Sequence, residues 1–174
     1  MATAPGADGW TLELGCGHGH YLTAFAAHHP DATCLGIDFC RERVRRAERK
    51  LQRARLANLC FLHAEAGEFL DALPPDMRFR RIFVLFPDPW PKRRHRKHRL
   101  VSPEFLDRTA GLAMPQAGFF FRSDALDYVE EVRANLAKHP SWRLIPDGNL
   151  PFETETVFQA KARLFGSVVA SRVG

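Results

Sequence analysis

Three prolines alternate with an acid and an aromatic in Pro87-Asp88-Pro89-Trp90-Pro91, directly after the apolar run of residues 81–86. Proline fixes φ and removes a backbone donor, so this segment cannot continue a strand and stiffens the chain beyond it. A stiff loop at a strand end holds a carboxylate and an indole in place. That is the equipment needed to orient a planar substrate and to stabilise positive charge developing on it. The competing reading is a rigid surface loop with Trp90 packed down. The next eight residues read K-R-R-H-R-K-H-R, six formal positive charges and two histidines. Such crowding is self-repelling unless an anion relieves it, and nucleic acid is the commonest polyanionic partner of a soluble basic protein. A second basic stretch, residues 41–55, is helical in pattern and reads as a solvated helix face.

Other strand ends carry complementary chemistry. The first strand runs into Glu13-Leu14-Gly15-Cys16-Gly17-His18-Gly19. The spacing rejects the dinucleotide fingerprint G-x-G-x-x-G, because the sixth position counted from Gly15 is His20. What remains is an acid followed by G-x-G-x-G. The second strand ends Gly36-Ile37-Asp38, about 20 residues past the glycines, where a carboxylate can accept from ribose hydroxyls. The third leads into Ala64-Glu65-Ala66. Glu65 has two open readings: contact with an adenine amino group, or an ordinary acid at a helix N-terminus, which the macrodipole favours.

These positions need a scaffold, and the hydrophobic pattern supplies one. Short apolar runs at 11–14, 33–38, 60–63, 81–86, 118–122, 142–145 and 168–171 read as strands. Amphipathic runs at 20–28, 41–57, 66–73, 103–112, 126–138 and 158–165 read as helices. Strands alternating with crossover helices give an α/β fold with a mainly parallel sheet and helices on both faces. In such sheets ligands bind beyond the carboxyl ends of the strands, and that is where the motifs lie. The length of 174 residues fits one domain. Fourteen Phe against two Tyr point to a dry aromatic core. No apolar run reaches the roughly 18 residues of a membrane span, and no signal peptide is visible at the start, so a cytoplasmic protein without a membrane partner is expected. Cys16, Cys34, Cys40 and Cys60 form no C-x-x-C pair, and His18/His20 and His28/His29 have no third ligand at a recognisable spacing. No metal is expected.

Taken in order, these segments resemble the bacterial tRNA (guanine-N7-)-methyltransferase family of class I S-adenosylmethionine-dependent enzymes. The resemblance is carried by Phe86-Pro87-Asp88-Pro89-Trp90-Pro91-Lys92-Arg93-Arg94-His95 and, more weakly, by the glycine turn, Gly36-Ile37-Asp38, Pro103-Glu104-Phe105, Ser123-Asp124 and Thr156-Val157-Phe158-Gln159. It implies a Rossmann-like, seven-stranded methyltransferase domain, with S-adenosylmethionine as cofactor and tRNA as partner. It further implies that Glu13, Gly15, Gly17, Asp38, Glu65 and Asp88 contact the cofactor, and that Asp88 is catalytic. Lys92, Asp124, Thr156, Val157, Phe158 and Gln159 would contact the substrate guanosine, position 46 of the variable loop. Arg94, His95, Arg96, Lys97, His98 and Arg99 would hold RNA backbone. The family usually carries Glu at Asp38, Asp at Glu65, Thr at Ser123 and Glu at Gln159; the last change removes a charge. The long segment that usually precedes the first strand is not seen, so residues 1–174 read as one methyltransferase domain without it, monomeric or homodimeric. Two rivals remain: a class I methyltransferase acting on another nucleic acid or on protein, and a non-catalytic RNA-binding protein of the same fold.

Overall fold

In the computed structural model, residues 9–154 and 164–174 are described. Seven strands form one sheet in the order β3-β2-β1-β4-β5-β7-β6. They are β1 (Trp10–Leu14), β2 (Thr33–Asp38), β3 (Leu59–His63), β4 (Phe79–Leu85), β5 (Ala113–Ser123), β6 (Trp142–Leu144) and β7 (Gly166–Arg172). The first five run parallel, while β7 lies antiparallel to both β5 and β6. The sheet is therefore mixed at one edge. Among the described residues the α-helices are α1 (His20–His28), α2 (Arg41–Ala54), α3 (Ala66–Asp71), α4 (Pro103–Leu112) and α5 (Leu126–Lys138).

Strand alternation divides the interior into two cores. Leu12 and Leu14 of β1, Ile82 and Val84 of β4, and Phe119 and Phe121 of β5 pack with α3, α4 and α5. Phe83, Leu85 and Phe120, on the opposite face of the same strands, pack with Tyr21, Leu22 and Phe25 of α1 and with Val44 and Ala47 of α2. Burial on both faces explains why Ile82-Phe83-Val84-Leu85 is continuously apolar. Each fully buried Phe, such as Phe83 or Phe121, contributes about 1.5–3 kcal/mol relative to exposure.

Helix ends have local causes. Ser102 caps α4 by accepting from the Phe105 N–H at 3.2 Å, with Pro103 at the first helical position. The Asn58 carboxamide nitrogen lies within 3.0 Å of the carbonyls of Ala26, His29 and Ala32 and so satisfies the end of α1. Helix α2 stops at Ala54, three residues before its apolar pattern fades, because Arg55 turns left-handed at φ 53°. Strand β5 reaches back to Ala113 through an irregular stretch in which Gln116 has φ 62°, so it is longer than the 118–122 run suggests. Residues 93–98, expected as loop, form a 3₁₀ helix (Arg93–His98). The helix expected at 158–165 falls largely on residues outside the described ones. No helix among the described residues is long and apolar enough to cross a membrane, and they contain no metal-holding group of His, Cys, Asp or Glu.

Candidate functional site

A cavity of about 280 Å³ opens where β1, β2 and β4 end, and its wall includes Gly15, Gly17, Asp38, Glu65 and Asp88. Five of the six residues expected to meet a cofactor are thus brought together from four separate stretches of chain. The glycine turn is built for close approach. Gly15 and Gly17 have φ 76° and 54°, a region side-chain-bearing residues seldom occupy. A Cβ at Gly15 would meet nothing within 4 Å, so this backbone borders open space.

Asp38 has work within the protein. Its Oδ2 accepts from the Gly17 N–H at 2.9 Å and its Oδ1 from the Cys40 N–H at 2.8 Å, clamping the turn to the start of α2. Arg43 approaches Oδ2 at 3.8 Å. Of the two readings of Glu65, the helix cap is realised, since its carboxylate accepts from the Glu68 N–H at 2.9 Å. Glu65 is also part of the cavity wall.

The sixth residue, Glu13, does not line the cavity. It sits beneath the turn on the α1 side of the sheet, opposite Gly36 and Phe83 in register, and is 3% exposed with one oxygen, Oε2, unpartnered among the described residues. Burial pushes its pKa up to about 8; a hydrogen bond from the Leu22 amide offsets this in part, and the Asp38 charge adds to it. Below that pH the folded protein holds Glu13 as a neutral acid.

The Pro-rich loop is strained at both ends of its catalytic candidate. Phe86 has φ 50° and Trp90 φ 44°, each costing about 1–3 kcal/mol in a non-glycine residue. The Phe86 N–H donates to the Arg122 carbonyl at 2.7 Å. Trp90 and His98 line the cavity beside Asp88, with ring centroids 5.2 Å apart, and His95 lies 6.0 Å from Trp90. Lys92, Arg93, Arg94 and Lys97 project into solvent at this lip.

Arg99 departs from the expectation of RNA contact. Its side chain is 1% exposed; it donates to Asp127 at 2.6 Å and to Glu131 at 2.5 Å, and its Nε donates to the Pro89 carbonyl at 2.9 Å. Its guanidinium lies 4.6 Å from the Tyr128 ring centroid. It is the pin that fastens the strained loop to α5, and donors committed to two carboxylates and a carbonyl are not offered to a phosphate. Arg96 is partly diverted as well, pairing with Asp127 at 2.8 Å. Replacing Arg99 by Ala is expected to cost about 2–4 kcal/mol in denaturant unfolding, since it deletes three charge-assisted contacts and a packed stem. Arg93→Ala, at the solvent-facing lip, should stay within about 0.5 kcal/mol.

Of the expected substrate contacts, Lys92 and Asp124 are exposed and do not line the cavity. Thr156, Val157, Phe158 and Gln159 lie outside the described residues. Three residues had no forecast role here. Phe39, 61% exposed, and Arg43 both line the cavity; an aromatic directly after the strand-terminal acid was the available signal. Arg122, buried, makes a bidentate pair with Glu153 at 2.7 and 2.8 Å and packs over the Phe165 ring at 4.9 Å. It therefore ties down the chain on both sides of residues 155–163. A lone Arg in an apolar strand was its only trace in the sequence.

Strand order, an antiparallel final strand and a glycine turn opening on the cavity define the Rossmann-like class I methyltransferase fold. A solved 16S rRNA methyltransferase, KamB, superposes with TM-score 0.66 over 95% of this chain and 88% of its own, at 19% identity. The family model described as "Putative methyltransferase" matches residues 8–165, and the chain belongs to that methyltransferase family. Similar curated proteins include the tRNA (guanine-N(7)-)-methyltransferase of Nitrosococcus oceani, 32% identical over 156 residues. The protein of that name from Treponema pallidum is 32% identical over 158 residues. The alignments take in 89% and 91% of this chain but 66% and 63% of those proteins, so the chain spans somewhat under two thirds of the relatives it matches.

Proposed function

We propose that this protein transfers a methyl group from S-adenosylmethionine to N7 of a guanine in tRNA, the guanosine at position 46 of the variable loop. The observation that carries the reading is the convergence of the Gly15–Gly17 turn, Asp38, Glu65, Asp88 and Trp90 on one cavity whose lip is the basic 3₁₀ helix. The names of the similar proteins support the choice of substrate.

The residues present suit this cofactor. Phe39 offers an exposed aromatic face for a purine, and Asp38 keeps lone pairs beside it for ribose hydroxyls. Glu65 can accept from an exocyclic amine. Glu13 leaves a buried oxygen without a partner under the turn, and a cationic ligand above it favours the ionised carboxylate. The cofactor, when bound, supplies an electrophilic methyl on a sulfonium.

Guanine N7 brings a lone pair and no proton, so the chain need not remove one before attack. Its task is to hold N7 in line with the methyl, which supplies about 7–11 kcal/mol of the barrier. Positive charge then builds on the purine, and Asp88 stabilises it from a loop that is already fixed. We assign Asp88 an electrostatic role and the ring of Trp90 a stacking role. N7 lies on the major-groove edge, which folded RNA shields, so the base must be accessible or extruded. Lys92, Arg93, Arg94 and Lys97 attract phosphate without regard to sequence.

Incubation with methyl-labelled S-adenosylmethionine and unmodified tRNA, followed by nucleoside analysis, tests this reading. Label in N7-methylguanosine is the expected result. Label in another nucleoside or in protein would select a methyltransferase with a different substrate, and tRNA binding without cofactor binding would select the non-catalytic protein.

A further inference from the structure

In sequence, the arginine-rich helix α2 reads as a solvated face; in the structure its charges are more ordered than that requires. Val44 and Ala47 are buried and Leu51 half-buried, which fixes the rotation of the helix. At 3.6 residues per turn, Arg43, Arg46, Lys50 and Arg53 then fall along one flank, at the i, i+3, i+7, i+10 spacing of a single stripe. The stripe begins at the cavity, since Arg43 is part of its wall. His18 of the glycine turn and His20, the first residue of α1, have ring centroids 6.3 Å apart, and the backbone between them at Gly19 packs against Ala47 of α2. Burial and the positive fields of Arg46, Arg43 and Lys50 together hold His18 below its usual pKa, which places it beside the stripe. The acids facing this group are Asp38, near Arg43 at 3.8 Å, and Glu42, which pairs with Arg46 at 3.2 Å and Arg49 at 3.8 Å. Lys50 has its ammonium shielded from solvent with no hydrogen-bond partner among the described residues, and Arg53 forms no ion pair there. A desolvated, unpartnered ammonium is costly, and its flexible four-carbon stem lets it turn outward to meet an anion.

We propose that the Arg43, Arg46, Lys50 and Arg53 flank, with His18 and His20 beside it, is a second track for RNA phosphates. Substrate backbone is then held on both sides of the cavity, by Lys92 to Lys97 at one lip and by α2 at the other. Both tracks touch the same cavity wall, through Trp90 and His98 on one side and Arg43 on the other. The inference rests on the tRNA reading above and adds where the polyanion lies.

The test compares the Lys50→Gln/Arg53→Gln protein with Arg41→Gln/Arg45→Gln, which removes the same charge from exposed positions off the stripe. Affinity for unmodified tRNA is measured across a salt series, with cofactor affinity and kcat at saturating tRNA measured in parallel. The stripe variant should lose about tenfold in tRNA affinity near 0.1 M salt, and its slope of log K against log salt should fall by about 1.5–2, the value for two phosphate contacts. The off-stripe variant should lose less than half as much, cofactor affinity and kcat should hold, and Lys50→Arg should behave as the parent. An unchanged slope, or an equal loss in both variants, overturns the stripe. Parent protein that binds and methylates tRNA while the stripe variant matches it rejects the track alone. Parent protein that binds no tRNA rejects the track and the functional reading together.

Discussion

On the proposed function, Asp88→Asn is expected to lower kcat for methyl transfer to tRNA by about 10²–10³, the usual loss when one preorganised charge facing the transition state is removed. Asn is nearly isosteric and keeps the loop, whose shape is set elsewhere. Phe86 is held by the Arg122 carbonyl and the Pro89 carbonyl by Arg99, contacts that the substitution leaves alone. The loss should therefore fall on kcat, with tRNA affinity within about threefold of the parent protein, because phosphate attraction lies on other residues. At saturating cofactor the parent rate should not climb steeply between pH 6 and pH 9, since N7 carries no proton to remove. A rate that climbs tenfold per pH unit, and loses that slope in Asp88→Asn, would make Asp88 a general base instead.

Glu13→Gln is expected to stabilise the protein in mild alkali. The carboxyl has a pKa of 4.5 when solvated and about 8 in the fold, so the folded chain binds the extra proton. Stability then falls as pH rises through that window. Between pH 5 and pH 8 the parent protein should lose about 3 kcal/mol relative to the variant, or roughly 6–12 °C in Tm. Denaturant unfolding of both proteins at the two pH values reads this directly; parallel stability curves would show that Glu13 is already ionised in the fold. The same group bears on the ligand. A cation above the turn favours the carboxylate, so cofactor binding at pH 7 should release close to one proton in the parent protein and none in Glu13→Gln. Calorimetry in two buffers of different ionisation enthalpy separates the cases. A structural device that destabilises the empty fold is what a site tuned to its ligand would retain.

Much of this architecture was legible because local and global signals agree. His20–His28, Thr33–Asp38, Pro103–Leu112 and Leu126–Lys138 begin and end where their patterns do; Gly19 precedes the first, Ser102 caps the third, and Pro140 follows soon after the last. The candidate site was legible because strand-terminal residues converge in any sheet of this class, so Gly15, Gly17, Asp38, Glu65 and Asp88 could be expected at one cavity without knowing their distances. Charge was read less well. A run of basic residues gives no account of which ones turn inward, and Arg99 is distinguished from Arg94 only by Asp127 and Glu131, about 30 residues away in sequence on another element. Arg122 escaped for the same reason, its partner Glu153 lying 31 residues on. The role of Glu13 beneath the turn depends on desolvation, a property of packing that residue type does not carry.

The central claim is that the methyl goes to N7, and one atom decides it. Two tRNAs are prepared that differ only at position 46, one with guanosine and one with 7-deazaguanosine, in which N7 is replaced by a C–H that has no lone pair. Both keep the Watson–Crick edge and the phosphates, so both should bind alike. Methyl transfer to the guanosine tRNA and none to its 7-deaza counterpart is the result the account predicts. Equal transfer to both would place the methyl on another atom and contradict it.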